Sequence, residues 1–239
     1  MSAGAILSSL DGAVARLVID RTERGNLLTL DMVTALAAAM RAVPADAKAV
    51  HLYGVGADFC RGRDPAGSPA TATALDVRAR LIEPILSLYE AIAACPIPVV
   101  ASVNGAARGL GAALAGACDV TIASATARFA LPEMEKDLPP TLAISALMRR
   151  VPAKPLAYLV LSLDEIDAQT AREIGLVSHV VEGDAVAGAH PFLATLAARS
   201  RTALVAVKDY LRAAPEIGPQ PRHDLAANLL ACVLSSRAS

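Results

Sequence analysis

Apolar residues recur along the chain in two spacings, short continuous runs and helical repeats, and the two spacings alternate. The short β-branched runs predict strands at 5–9, 14–19, 49–53, 97–103, 120–123 and 177–181. The helical repeats predict helices at 30–43, 75–94, 109–117, 142–150, 155–161, 168–174, 187–199, 202–213 and 224–235. Asp11-Gly12 predicts a hairpin turn between the first two strands, and Pro84 predicts a kink or break in the helix that contains it.

The order of these elements indicates the fold class. Thr29 or Asp31 is expected to cap the first helix, and Gly175 is expected to end the helix before the last strand. A helix between consecutive strands favours parallel pairing, because an antiparallel pair needs only a short turn. Strands and helices alternate up to about residue 185, and only helices follow. The pattern predicts an α/β core over 1–185 and a helical region over 186–239.

Composition and charge restrict the classes of partner. Hydrophobic residues make up 54% of the 239 residues and charged residues 19%, which is typical of a well-packed globular protein. The formal net charge of −1 gives no electrostatic basis for binding nucleic acid or an anionic membrane. The first residues lack the basic start and apolar run of a signal peptide, and no apolar run is long enough to cross a bilayer. We therefore expect a cytoplasmic protein with no nucleic-acid or membrane partner.

Cysteine and histidine positions suggest structural roles. The sequence contains four cysteines, Cys60, Cys95, Cys118 and Cys232. Their spacing fits neither a metal site nor a disulfide framework, so we expect reduced cysteines in or near the core and no bound metal. His51 lies in a predicted buried strand and His179 in the last one, and both are interpreted as structural.

The segment 95–133 is the strongest candidate for a functional site. An apolar strand at 97–103 runs into the turn Asn104-Gly105, and a glycine-containing stretch with Gly109 and Gly111 then leads into an alanine-rich helix. A strand, a glycine turn and a helix N-terminus together present backbone N–H groups to a ligand oxygen. This arrangement outlines an oxyanion-binding device, although glycine turns of this kind also serve tight packing.

Several pieces in a fixed order resemble the crotonase (enoyl-CoA hydratase/isomerase) superfamily. They are Phe59 to Asp64 (FCRGRD), Pro96 to Gly105, Gly109 to Asp119, Pro132-Glu133 and Ala171 to Val181. The resemblance implies a crotonase-like ββα spiral core with two sheets, followed by helices that mediate trimers or hexamers. It also implies an acyl-CoA thioester as substrate, with coenzyme A arriving as part of that substrate and no separate cofactor.

The resemblance further implies an oxyanion hole made of two backbone N–H groups. The matching positions are Arg63, after the glycine of FCRGRD, and Leu110, inside the GLG triplet. Loss of one such donor typically costs a few kcal/mol of transition-state stabilisation. Five neighbouring residues are the expected substrate- or CoA-binding positions, namely Arg61, Gly62, Asp64, Gly109 and Gly111.

The acid/base residues of the family are only partly present. Hydratases of this superfamily use two glutamates; the second matches Glu133, whereas the first falls at Ala113, which cannot transfer a proton. Moving a double bond from the 3- to the 2-position needs only one base, so we expect an isomerase in preference to a hydratase, with Glu133 as single acid/base. Glu135 or Asp137 could replace the missing acid, or their segment could be a solvated loop, which we favour.

Other functions remain open on the sequence alone. Decarboxylation or hydrolysis of another CoA or acyl-carrier thioester is one, because a fold does not fix a reaction. A non-catalytic subunit with the same fold is another, suggested by Ala113 and the altered loop after Glu133. Arg61, Arg63 and Arg108 could meet CoA phosphates, an anionic acyl tail, solvent or a neighbouring subunit. Lys208 is expected at the surface.

Overall fold

A computed structural model describes residues 4–66 and 73–236. Its strands are β1 Ala5–Asp11, β2 Val14–Asp20, β3 Ala49–Gly54, β4 Val99–Val103, β5 Ala106–Arg108, β6 Val120–Ser124, β7 Arg128–Ala130, β8 Ile166–Asp167 and β9 His179–Val181. Its α-helices are α1 Leu30–Arg41, α2 Ala74–Val77, α3 Glu83–Ala94, α4 Leu110–Ala117, α5 Thr141–Leu147, α6 Ala153–Ser162, α7 Ala168–Glu173, α8 Ala185–Ala197, α9 Arg201–Ala213 and α10 Pro219–Ser235. Shorter 3₁₀ turns cover Thr22–Arg24, Pro132–Lys136 and Ala214–Glu216.

The larger sheet has six strands in the order β1-β2-β3-β4-β6-β9. Only the β1–β2 hairpin is antiparallel, and every other neighbouring pair is parallel, as expected where a helix separates consecutive strands. All five residues of β4 are buried, because helices cover both faces of the sheet centre. On one face α1 packs against α3, and on the other Ala189 and Leu193 of α8 contact the strands.

A smaller sheet has three short strands in the order β5-β7-β8. β5 and β7 are parallel, with Ala106 opposite Arg128, and β7 and β8 are antiparallel. A single parallel bridge joins Cys60 to Ala107 of β5. The sequence pattern predicted none of these three strands, yet they hold the loops of the candidate site.

The helix that contains Pro84 is interrupted, as the sequence predicted. A π-helical turn at Arg78–Ile82 separates α2 from α3, and the Glu83 N–H donates to the Arg78 carbonyl in an i to i−5 bond. Proline has no N–H, and its ring would collide with the carbonyl four residues before it. The wider π turn relieves that collision without breaking the helix.

Capping follows the predicted chemistry. The Thr29 side chain accepts a hydrogen bond of 3.1 Å from the Met32 N–H, so Thr29 rather than Asp31 caps α1. Gly175, just beyond α7, has a φ of +85°, the left-handed conformation that glycine adopts most readily after a helix.

The predicted α/β class with a helical C-terminal region is confirmed. Beyond Ala185 the chain is helical through Ser235, in α8, α9 and α10. The first of these helices contributes to the core, since Ala189 and Leu193 pack on Val100 of β4 and Ile122 of β6. The division at residue 185 into two units stays a prediction.

The prediction that Lys208 lies at the surface is wrong. Its side chain is 6% exposed, and Nζ lies 2.7 Å from Asp119 Oδ2. The same ammonium donates to the carbonyl oxygens of Ile92 and Ile97, at 3.1 Å each. A buried lysine needs such partners because an unpaired charge is costly away from water. Lys208 therefore attaches α9 to the core instead of facing solvent.

His51 has a structural environment. Its imidazole is buried, and Nε2 lies 2.7 Å from Ser102 Oγ on the neighbouring strand. Burial lowers the pKa of His51 to about 4, with further contributions from His190 and Arg16. Within 4–66 and 73–236, no three His, Cys, Asp or Glu residues cluster as a metal ion would require. No described helix is long and apolar enough to cross a membrane.

Candidate active site

The segment FCRGRD lies between two neighbouring parts of the backbone. On one side the Cys60 N–H donates to the Ala106 carbonyl at 3.1 Å, and the Arg108 N–H donates to the Cys60 carbonyl at 3.0 Å. On the other side the Leu28 N–H donates to the Gly62 carbonyl at 2.9 Å, and the Asp64 N–H donates to the Leu28 carbonyl at 2.8 Å. These bonds fix the segment against β5.

The same bonds set the direction of the Arg63 N–H. The peptide joining Gly62 to Arg63 is trans, so its C=O and N–H point in opposite directions. Since the Gly62 carbonyl faces Leu28, the Arg63 N–H points away from Leu28, towards the side on which β5 lies. It is therefore directed to the side of the segment where α4 begins.

The N-terminus of α4 lies directly against this segment. A Cβ atom on Gly111 would stand 2.0 Å from the Cys60 carbonyl oxygen, so only glycine permits the observed approach. Gly109 has a φ of +51° and precedes Leu110, the first residue of the helix. The Leu110 N–H has no intrahelical acceptor at that position and lies at the positive end of the helix dipole.

Glu133 brings its carboxyl group to the same helix end. It lies in the 3₁₀ turn after β7, and the Gly109 N–H donates to the Ala130 carbonyl of β7 at 2.8 Å. A Cβ atom on Gly109 would be 2.9 Å from Glu133 Oε1, so the missing side chain makes room for the carboxylate. Glu133 Oε2 is buried and has no hydrogen-bond partner within the described residues. Burial raises the pKa of Glu133 above its ordinary value.

Two of the predicted binding residues, Arg61 and Asp64, pair with other side chains of the protein. The exposed Arg61 pairs with Asp58 at 2.7 Å. Asp64 is buried, accepts a hydrogen bond from the Ala66 N–H, and lies 2.6 Å from Arg21 Nη1. The Ala66 N–H and then Arg21 hold the pKa of Asp64 below its ordinary value. Asp64 therefore supports the loop that carries Arg63.

The residues considered as a second acid differ from Glu133 in their exposure to solvent. Glu135 and Asp137 are both exposed, although their turn begins next to Glu133. Ala113 is fully buried on α4 and offers no polar atom in its side chain. Arg108 pairs with Glu165 at 2.6 Å within the chain. Of the three predicted carboxylates, Glu133 is thus the one with a buried oxygen, and its carboxyl group lies beside Gly109.

The Enoyl-CoA hydratase/isomerase family model matches residues 10–231. The chain belongs to this family. The predicted membership of the crotonase superfamily and the crotonase-like fold are therefore confirmed, and the protein is an enoyl-CoA hydratase/isomerase-like enzyme. An acyl-CoA thioester substrate is consistent with that membership.

Individual relatives differ in the reaction that their names state. A protein of Rhodobacter capsulatus named as a probable enoyl-CoA hydratase is 36% identical over 182 residues, which cover 76% of this chain and 70% of the relative. The 1,2-epoxyphenylacetyl-CoA isomerase of Escherichia coli is 32% identical over 192 residues, covering 76% and 71%. The crystal structure of an enoyl-CoA hydratase from Mycobacterium smegmatis superposes with a TM-score of 0.90 at 26% identity, covering 96% of this chain and 90% of that one.

Tyr89 is a residue near Glu133 that the sequence analysis did not predict. It lies on α3, packs partly buried against the core, and its pKa is raised by burial first and then by the charge of Glu133. Tyrosine is scarce in this sequence, with four residues, but nothing in the local pattern linked Tyr89 to Glu133. Cys60 itself is buried, which raises its pKa to about 12, so its thiol stays protonated and is not a nucleophile.

Proposed function

We propose that the protein isomerises enoyl-CoA thioesters, moving a carbon–carbon double bond from the 3-position to the 2-position with Glu133 as the single acid/base. The supporting observation is the Glu133 carboxyl group, whose Oε2 is buried, beside Gly109 at the N-terminus of α4, with Ala113 where hydratases of the family carry a second glutamate. The N–H groups of Arg63 and Leu110 form the oxyanion hole in this proposal.

The proposed reaction is a proton transfer between two carbons of one substrate. The thioester oxygen accepts hydrogen bonds from the Arg63 and Leu110 N–H groups, and the Glu133 carboxylate removes a proton from carbon 2. The electron pair of that C–H bond forms the enolate, whose negative oxygen the two N–H groups stabilise. Glu133 then returns the proton to carbon 4, the double bond settles between carbons 2 and 3, and no atom is gained or lost.

The environment of Glu133 suits this task. Desolvation raises its pKa, which makes its carboxylate a stronger base than a solvated one. After it has taken the proton, the carboxyl group is neutral, which is the form that burial favours. The unpartnered Oε2 leaves this oxygen uncommitted to other protein groups of the described residues.

Hydration would require a second group to hold water and deliver a proton. Ala113 cannot do so, and Glu135 and Asp137 face solvent. The isomerase proposal therefore needs fewer groups than the hydratase alternative, and all of them lie at one helix end. Coenzyme A enters as part of the substrate, near Gly62, Gly109 and Gly111, and no separate cofactor takes part.

The test compares wild type with Glu133→Gln on a 3-enoyl-CoA and a 2-enoyl-CoA by the absorbance of the conjugated thioester. Conjugation should appear from the 3-enoyl substrate, and kcat should fall about 10²-fold or more in the variant because its only base is lost. Glu135→Gln and Asp137→Asn serve as matched controls, since both carboxylates are exposed, and should retain wild-type rates.

Three outcomes would overturn the proposal. Loss of conjugation from the 2-enoyl substrate would establish hydration, and its dependence on Glu135 or Asp137 would identify the second acid. Activity on the 3-enoyl substrate that survives Glu133→Gln would exclude a single acid/base at this position. Binding of acyl-CoA without turnover of either substrate would favour another thioester reaction or a non-catalytic subunit.

A further inference from the structure

The two proposed oxyanion donors differ in their surroundings. The Leu110 N–H belongs to the first residue of α4, where the helix dipole adds partial positive charge. The Arg63 N–H lies in the loop that follows β3, and residues 55–66 of this loop contain no helix. The strength of this second donor therefore depends on what the other end of its own peptide group contacts.

Two consecutive hydrogen bonds connect the peptide group of Arg63 to Arg21. The carbonyl of the Gly62–Arg63 peptide accepts a hydrogen bond from the Leu28 N–H at 2.9 Å. The carbonyl of the Leu27–Leu28 peptide accepts one from Arg21 Nη1, also at 2.9 Å. No described peptide bond is cis, so the N–H and C=O of each peptide point in opposite directions. The guanidinium and the two peptides therefore form a hydrogen-bond series that runs in one sense and ends at the Arg63 N–H.

The guanidinium at the start of this series is largely removed from water. The Arg21 side chain is 12% exposed, so solvent screens its charge less than at the surface. Nη1 also lies 2.6 Å from Asp64 Oδ2, while Nε is buried without a hydrogen-bond partner among the described residues. Asp64 offsets part of the positive charge, but the bond to Leu27 still comes from a charged donor, which forms the stronger kind of hydrogen bond.

The backbone of Arg21 is held independently of its side chain. The Arg21 N–H donates to Asn26 Oδ1 at 2.9 Å, and the Asn26 N–H donates to the Arg21 carbonyl at 3.0 Å. Asn26 is itself buried, and its Nδ2 donates to the carbonyl oxygens of Val55 and Asp58. A substitution at position 21 therefore changes the start of the series while these backbone contacts remain.

We propose that Arg21 is a positioning residue that fixes and polarises the Arg63 N–H through this hydrogen-bond series. A cation at one end draws electron density along both peptide groups, and hydrogen bonds in such a series strengthen one another. The Arg63 N–H thereby gains partial positive charge, as the Leu110 N–H does from its helix. A stronger donor stabilises a developing oxyanion more than a neutral carbonyl, so the effect falls on the transition state. This inference rests on the proposed function for the role of the two donors.

The test uses the CoA thioester of 4-dimethylaminocinnamic acid, which has no proton on carbon 4 for an isomerase to exchange. Its absorbance moves to longer wavelength when the hydrogen bonds to its carbonyl oxygen become stronger. At saturating protein, wild type should shift the absorbance to the red, and Arg21→Gln should lose about half of that shift or more. With a 3-enoyl-CoA, kcat of Arg21→Gln should fall about tenfold while KM changes less than about twofold.

Three further variants separate polarisation from support of the fold. Arg21→Gln leaves the buried Asp64 unpaired, whereas the double variant Arg21→Gln/Asp64→Asn removes both charges and should lose the same part of the red shift. Arg21→Lys should keep most of the shift, because one nitrogen of Arg21 makes both bonds and an ammonium can replace it. Arg24→Gln is the matched control, since Arg24 is an exposed arginine of the neighbouring 3₁₀ turn, and it should keep the full shift.

A full red shift in Arg21→Gln and in the double variant would overturn the proposal, and so would an equal loss in Arg24→Gln. Absence of any red shift in wild type would exclude the two N–H groups as donors to a thioester oxygen, and with them this inference. The absorbance measurement needs no turnover. A red shift that depends on Arg21, in a protein that does not isomerise 3-enoyl-CoA, would therefore overturn the proposed reaction and leave this role of Arg21 standing.

Discussion

At the scale of single residues, Glu133 has opposite effects on activity and on folding. Its Oε2 is buried and has no hydrogen-bond partner within the described part of the chain, so the charged form is poorly stabilised. The same desolvation that strengthens it as a base therefore lowers the stability of the folded protein at neutral pH. Functional sites commonly carry such a conflict.

Glu133→Gln should therefore raise the thermal midpoint at pH 8 while removing activity. The folded state binds the Glu133 proton more tightly than the unfolded state, so wild-type stability falls as the pH rises from about 4.5 through the raised pKa. The variant lacks this loss and should melt about 2 °C or more above wild type at pH 8, with the difference shrinking towards pH 4.5. Calorimetry between pH 4.5 and pH 8 measures the difference in thermal midpoint, and Glu135→Gln is the control. A Glu133→Gln variant that melts below wild type at pH 8 would contradict this expectation.

Single residues also mark the limit of prediction from sequence. Arg63, Leu110 and Glu133 could be proposed as site residues because each lies within a short motif whose residues are neighbours in sequence. Lys208 and Tyr89 could not, because their partners are distant in sequence and only the fold brings them together. A lysine in the middle of a helix gives no sign in the sequence of the aspartate with which it will pair.

At the scale of elements, the contact between α4 and the FCRGRD segment determines the geometry of the site. The contact is backbone against backbone, since Gly111 lies under the Cys60 carbonyl and the Arg108 N–H donates to that same oxygen. Any added atom at Gly111 must move one of the two candidate oxyanion donors. The position of the two donors is therefore more sensitive to this glycine than to the side chains of Arg63 and Leu110.

Gly111→Ala should lower kcat about 10²-fold, because a displacement on the order of 1 Å at such a site costs about that much. The clash should also lower the free energy of unfolding by about 1–3 kcal/mol. Steady-state kinetics and urea unfolding measure the two effects. Gly218→Ala is the control, since its Cβ would meet nothing within 4 Å and its φ is −65°. Wild-type kinetics in Gly111→Ala would refute the proposed role of this contact.

The long elements were predictable from sequence, and the three short strands of the smaller sheet were not. Strands and helices of five or more residues carry a periodic apolar signal, and those in the large sheet and around it were found. β5, β7 and β8 have three, three and two residues, too few to show alternation, and they form only because the large sheet and its loops hold them together. Pro84 predicted an interruption, but only the structure shows that it is a π turn.

At the scale of the whole molecule, Lys208 and Asp119 connect the C-terminal helices to the α/β core. Asp119 also accepts a hydrogen bond from the Val99 N–H at the start of β4, so one carboxylate joins α9 to the sheet. The amphipathic pattern of the helices predicted a helical region, but it contained no information on where that region would attach.

Lys208→Met should lower the free energy of unfolding by about 3 kcal/mol, because it removes one partner of a largely buried ion pair and leaves two carbonyl oxygens without their donor. Urea unfolding followed by far-UV circular dichroism is suitable, since the sequence contains no tryptophan. Lys154→Met, on an exposed position of α6, should change stability by less than about 0.5 kcal/mol. Equal stability of the two variants would show that the Lys208–Asp119 ion pair contributes little to the free energy of unfolding.

The backbone origin of the two proposed oxyanion donors has a consequence for how such a site changes over generations. A substitution at Arg63 or Leu110 alters a side chain but leaves the N–H group in place. The amino acids at these two positions can therefore change while the proposed hydrogen-bond donors remain. Inheritance of the reaction then depends on Gly111, which lets the Cys60 backbone approach α4, and on Gly109, which leaves room for the Glu133 carboxyl group. The side chain at position 63 can therefore be an arginine without any change in the proposed reaction.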